Sequence, residues 1–254
     1  MTDNPDHIPG IYNYCDRWCE RCPFTVRCMN YEMDRGDSTD PEDRDVSNAA
    51  FWQRLHGVFE STIEMIEQFA EEQGIDLSDL DVESAIEDQA KIDEAARDEA
   101  CVRLSEQYGK MVNEWFRSSE DLFSKKGEQL ELEARTELPG ADPEAEAADL
   151  EDAVEVIRWY QHQIYVKLMR AVTGQLEGTP ETLVDYPKDS DGSAKVALVA
   201  VDRSIAAWGS LREHFPDEAD DLLDVLVALE RVRRRAEEVF PNARAFVRPG
   251  FDEA

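Results

Sequence analysis

The sequence predicts an all-α protein: roughly a five-helix antiparallel bundle with an irregular, cysteine-rich, metal-binding arm at its N-terminus. Three observations predict it. From about residue 48 onward, apolar residues recur at three- and four-residue spacing, the period of helices with one buried face. No run alternates in the two-residue period of a strand, and neither a strand–helix–strand unit nor a solenoid repeat is legible. Finally, Cys15, Cys19, Cys22 and Cys28 fall within fourteen residues of a stretch punctuated by Pro and Gly. The expected organisation is an arm over residues 1–45 and a helical domain over 46–254, its C-terminal tail packed back on the helices.

The elements follow in order. Pro5, Pro9, Gly10, Pro23, Gly36 and Pro41 break up residues 1–45, which therefore read as loop organised around the cysteines. A first helix is expected from about Asn48 to Gly74, with Trp52, Leu55, Phe59, Ile63, Ile66 and Ala70 on its core stripe. A second, long stretch runs from about Val82 to Leu132 on the stripe Cys101, Leu104, Tyr108, Met111, Trp115 and Leu122. Gly109 is expected to bend it and Gly127 to end it early. Pro139-Gly140 breaks the chain. Asp142-Pro143 then reads as an N-cap with proline in the first turn, opening a third helix that lasts to about Glu177. Residues 178–191 read as a polar connection.

A fourth helix is expected from Gly192-Ser193. Its run Val196–Val201 is apolar all round, as befits a helix surrounded by others. A fifth begins at Pro216 and carries Leu222, Leu226, Leu229, Val232, Ala236 and Val239. Phe246, Val247 and Phe251 anchor the tail.

Charge excludes some partners. Asp and Glu number 58 against 27 Lys and Arg, a formal net charge of −31. Such a surface repels nucleic acid phosphates and anionic membranes, so neither is an expected partner, whereas a protein partner is compatible with it. The acid is spread along the chain and only seven of the 27 basic residues are Lys, a pattern expected of a halophilic protein kept soluble by carboxylates. No apolar leader precedes the cysteines and no apolar run approaches membrane-spanning length, so a reducing cytoplasm is the expected compartment. There, clustered thiols bind metal more often than they form disulfides.

The cysteine spacing is C-x3-C-x2-C-x5-C, with Pro23 after the third thiol. A [4Fe–4S] cluster takes four thiolates, often from one compact run followed by proline. Structural zinc also takes four, usually as two C-x2-C pairs, and here only Cys19 and Cys22 make such a pair. Arg17, Arg21 and Arg27 lie among the ligands and would offset the negative charge of a tetrathiolate cluster. Tyr14, Trp18 and Phe24 could exclude water. The C-x2-C-x5-C ending resembles the cluster loop of endonuclease-III-type DNA glycosylases, whose first gap is six residues where this chain has three. The resemblance covers only these residues and implies a cluster, not an activity. Cys15-Cys19-Cys22 also matches the C-x3-C-x2-C signature of radical-SAM enzymes, but Arg21 stands where that family has an aromatic residue, and a helical chain lacks its barrel. The chain thus reads as a metal-binding helical protein with a [4Fe–4S] cluster on the four cysteines and a redox, sensing or electron-transfer role. The alternative is a Zn2+-stapled interaction or scaffold protein without catalysis. Cys101, on a helix stripe, reads as core.

Charged residues on apolar faces supply one more candidate. Tyr160, Lys167, Lys195 and Asp202 are expected either to pair across helices or to form a polar pocket. Di-iron chemistry is disfavoured, because no histidine has Glu three residues before it. Asp189-Ser190-Asp191-Gly192 resembles an EF-hand centre, yet Pro187 and Leu198 occupy the flanking ligand positions, so Asp191 or Ser193 reads as a helix cap instead.

Overall fold

A computed structural model describes residues 4–36, 49–77, 81–136, 140–178 and 188–252. Among them are eight α-helices and no strand: α1 Met29–Gly36, α2 Ala49–Gln73, α3 Val82–Asp98, α4 Ala100–Ser118, α5 Glu120–Thr136, α6 Pro143–Glu177, α7 Asp189–His214 and α8 Ala219–Val239. The all-α expectation holds, with more helices than the five expected. Pro139, residues 179–187, residues 37–45 of the arm and the expected helix start at Asn48 lie outside the described residues.

The chain divides into two compact units, Met1–Tyr12 with Cys19–Lys91 and Asn13–Trp18 with Ile92–Ala254. The second holds the main core. There α6 packs on α7, α4 and α5, while α8 packs on α4 and α7. The run Val196–Val201 of α7 is buried on nearly every side, as its all-round apolarity requires. Ile157, Ile164 and Leu168 of α6, Leu198 and Leu211 of α7, and Leu222 and Leu229 of α8 are wholly buried. At one end of the core Trp208 meets Trp115 edge-on at 5.1 Å, and its indole Nε1 donates to the Tyr108 hydroxyl at 3.0 Å. Cys101 is fully buried, as expected, and burial, helped by Glu99, pushes its thiol up to about 12.

Local signals set some boundaries and tertiary contacts set others. The Asp142 carboxylate accepts from the Ala145 amide and Pro143 occupies the first turn, so α6 begins where its cap dictates. The stretch expected as one helix from Val82 to Leu132 is three, broken at Glu99 and Ser119, and neither Gly109 nor Gly127 ends a helix. Glu99 caps the Ala100 amide and also pairs with Arg235 of α8 at 2.9 Å, a contact that no local pattern reveals. Gly109 lies where α4 crosses α6: a Cβ there would stand 3.3 Å from the Gln161 carbonyl oxygen. α7 begins at Asp189, earlier than Gly192, after Lys188 and without a side-chain cap. Pro216 opens a single 3-10 turn before α8.

The tail makes contacts within its own unit. Phe240 and Ala243 are buried, and Phe246 meets Tyr14 at 4.7 Å between ring centroids. Arg248 clamps Asp252 through three hydrogen bonds, two from its guanidinium at 2.8 and 2.9 Å and one from its backbone amide at 3.0 Å. These bonds hold the Asp252 carboxyl down at about 2. A depressed acid stabilises the fold above its unfolded value of about 3.9, and the contribution is lost as pH falls through the folded value. A carboxyl NMR titration of Asp252 is therefore expected to show its midpoint near pH 2. A midpoint near pH 4 would mean that no clamp exists.

In the first unit, Ile8 and Ile11 are buried and the arm turns through 3-10 segments at Ile11–Asn13, Cys19–Arg21 and Thr25–Arg27. The arm was expected to be loop throughout; α1 corrects this. No Pro or Gly interrupts residues 29–35, and the Cys28 carbonyl accepts the Glu32 amide to start the helix. The α2 stripe is also corrected: Trp52, Phe59, Ile63 and Ile66 are each more than half exposed, and only Ala70 is buried.

Candidate functional site

The segment Asn13–Trp18 is pinned to α6 and α7 by Asp16. Its carboxylate accepts from the Tyr160 hydroxyl at 2.7 Å and from the Arg203 guanidinium at 2.6 Å, and Arg203 also donates to the Tyr160 oxygen. The Asp16 backbone carbonyl accepts from Trp159 Nε1 at 3.0 Å and from the Gln163 side-chain amide. Trp18 stacks on Trp159 at 4.9 Å with ring planes 15° apart. Between them Arg17 adopts φ 57°, a left-handed conformation rare outside glycine, and the Trp18 amide closes the turn on Asp16 Oδ1 at 3.2 Å. Burial, then the neighbouring Asp16 carboxylate, raises the Tyr160 phenol well above the usual tyrosine range.

Cys15 precedes this anchor. Lys167 of α6 is only 8% exposed, and burial holds its ammonium below the usual lysine range. The charge of Cys15 pulls the other way, ahead of any effect of Asp16. On the other side of Cys15, Tyr14 bonds the Asp189 carboxylate, and burial together with that charge raises its phenol to about 12. Arg170 holds the same carboxylate at 2.9 Å, an α6–α7 ion pair.

Cys19, Cys22 and Cys28 belong to the first unit. The Cys22 amide donates to the Cys19 carbonyl at 3.2 Å, and the Phe24 amide donates to Cys22 Sγ at 3.4 Å. Together these give the C-x2-C loop a tight turn with an amide on its sulfur. The Cys28 amide closes on Thr25 O at 3.2 Å. Arg27 is held from both ends, its carbonyl accepting from the Ile8 amide at 3.0 Å and its Nε donating to Asp6 O at 3.1 Å. All four cysteines are half-buried. Among the described residues no group of three or more His, Cys, Asp or Glu is placed to hold a metal ion, so a metal reading rests on spacing.

The other expected residues divide between two environments. Tyr160 and Lys167 face the Asn13–Trp18 segment, as above. Lys195 and Asp202 instead meet the tail: Lys195 Nζ donates to the Arg244 carbonyl at 2.7 Å, and Asp202 pairs with the Arg244 guanidinium at 3.2 Å and with Arg233 at 3.7 Å. These contacts answer the need of charges on apolar faces for partners. Sequence reasoning missed Asp16, Arg203 and Gln163. The one legible signal was an acid next to the first cysteine of the run, together with an arginine on a helix whose middle is apolar all round.

Gly192 also finds its reason here, and it is neither calcium nor capping. A Cβ on it would lie 2.3 Å from Tyr14 Cε1 and 2.7 Å from Phe246 Cζ. Gly192→Ala is expected to displace both rings and to cost about 1–3 kcal/mol, read as a lower denaturant midpoint. No change would mean that Tyr14 does not pack there.

An open groove of about 850 Å³ elsewhere on the second unit is lined by Asp149, Ser210 and Pro216 among others. Ser210 donates to Asp149 at 2.8 Å and His214 meets the same oxygen at 3.0 Å. The serine thus turns to the acid, not to the imidazole that would have to activate it. Ser210 hydrogen-bonding first, then His214, lowers the Asp149 carboxyl, as expected of an acid closing a helix end.

Compared with protein-family models, with curated proteins and with solved structures, the chain matches none. No helix among the described residues is long and apolar enough to cross a membrane.

Proposed function

We propose that Cys15, Cys19, Cys22 and Cys28 hold a [4Fe–4S] cluster, and that the protein is a helical bundle whose arm serves electron transfer or redox sensing. The observation that carries this is four thiols in fourteen residues with the irregular spacing x3, x2, x5 and Pro23 after the third. Three features support it. The Phe24 amide directed at Cys22 Sγ is the kind of hydrogen bond that stabilises cluster sulfur and sets its potential. Arg17, Arg21 and Arg27 bring positive charge to a chain that is otherwise strongly acidic. Asp16, next to the first cysteine, is bonded to two helices, and rigid support of that kind keeps a redox centre from reorganising.

A second reading has its own observation. The Cys19–Cys22 turn, with its internal amide–carbonyl bond, is the knuckle that structural zinc sites employ. In that case the protein is a zinc-stapled scaffold or interaction protein with no redox role.

Anaerobic purification separates the two. The cluster reading expects a brown, oxygen-labile protein with about four irons and four sulfides per chain, becoming paramagnetic on one-electron reduction. Colourless protein with one tightly held zinc defeats the cluster and supports the staple. Protein that holds neither metal after anaerobic reconstitution defeats both.

A further inference from the structure

The helix α2 presents a broad apolar face to solvent. Val58, Phe59, Ile63, Met65, Ile66 and Phe69 are each between 53% and 64% exposed. At about 100° per residue these six share an arc of roughly 160°. His56, Glu60, Glu64, Gln68, Glu71 and Glu72 fill the opposite arc. So sharp a division is what a helix needs to bury one side, yet within its own unit no other described helix packs along it. The six side chains together expose roughly 700 Å², above the 300–600 Å² of the largest patch on an ordinary monomer. That is close to the ~800 Å² that each partner contributes to a stable interface.

We propose that α2 pairs with α2 of a second copy of this chain, antiparallel. Charge selects both the occupant and the direction. An acidic polar face on a chain of net charge −31 disfavours an anionic membrane as the cover. Along the helix, the first half carries Arg54, His56 and a single acid, Glu60, whereas the second half carries Glu64, Glu67, Glu71 and Glu72. Of the four glutamates, Glu67 and Glu72 lie nearest the edges of the apolar arc, and a parallel pair would set each of them beside its own copy. An antiparallel pair sets each acidic half beside the half that holds Arg54 and His56, and centres the contact near Ile63. Salt screens the remaining repulsion between the two acidic chains, so the pair tightens as potassium chloride rises.

The proposal is independent of any metal. Light scattering and sedimentation of the full chain are expected to show a dimer whose dissociation constant falls from low to molar potassium chloride. Ile63→Glu with Ile66→Glu changes only exposed side chains. It is expected to weaken the dimer at least ~100-fold while the dissociated chain keeps its helical content. Spin labels introduced on an unnatural amino acid, one position at a time in otherwise native chain, report the direction. At position 63 the two labels are expected within ~15 Å, and at position 73 roughly 30 Å apart, from the rise of 1.5 Å per residue. A monomer at every concentration and salt overturns the proposal. So does a dimer that survives the double substitution, short distances at both labelled positions, or binding to anionic vesicles in place of self-association.

Discussion

Trp208→Ala is expected to lower the unfolding free energy of the second unit by about 3–5 kcal/mol. Three separate losses combine. The side chain is completely buried, so its removal leaves a cavity among residues that cannot collapse into it. It meets Trp115 edge-on at 5.1 Å and Phe116 at 5.9 Å, and both contacts vanish. The Tyr108 hydroxyl, itself buried, loses its Nε1 donor at 3.0 Å. Trp208→Phe separates these effects, because it keeps most of the volume and removes the donor, at an expected cost of about 1–3 kcal/mol. Denaturant unfolding followed by near-UV circular dichroism reads both. A loss below 1 kcal/mol for the alanine variant would mean that α4, α6 and α7 do not share this core.

The second large effect concerns the arm. Replacing Cys19 and Cys22 together by Ser is expected to abolish metal retention, lowering bound iron or zinc at least ~100-fold. A hydroxyl does not deprotonate to replace a thiolate ligand, and two of the four ligands are gone. The residues around them have few aliphatic side chains to hold a fold, so loss of metal should also loosen the arm. Hydrogen exchange of the Cys22 and Cys28 amides is expected to quicken in the variant. Cys101→Ala is the control. Its thiol is fully buried and held near 12, far from any thiolate at neutral pH, so metal content should stay unchanged. Metal lost on replacing Cys101, or kept on replacing Cys19 and Cys22, would remove the arm from the chemistry altogether.

Individual elements show how far local pattern reaches. α6 was legible at its start because Asp142 and Pro143 act within a few residues of themselves. The breaks at Glu99 and Ser119 were not. Neither is a Gly or a Pro, and Glu99 is held as much by Arg235 of α8 as by the helix that it caps. Gly109 has a role that the sequence did not show: its lack of a side chain lets α4 pass close to α6. On α2 the period was right and the inference drawn from it was not. An apolar stripe states that a helix has a face to bury, not what buries it.

From sequence alone came the all-helical class, the start of α6, the buried middle of α7, the place of Cys101 in the core and the spacing of the four arm cysteines. Each depends on neighbours within a turn or two, where residue type and period constrain the backbone directly. Tertiary structure alone decided that Asp16 would bond Tyr160 and Arg203, 144 and 187 residues further on, and that Gly192 would make room for Tyr14. It also decided that Lys195 and Asp202 would serve the tail. Such contacts join groups far apart along the chain, and only the packing of whole helices brings them within a hydrogen bond of one another.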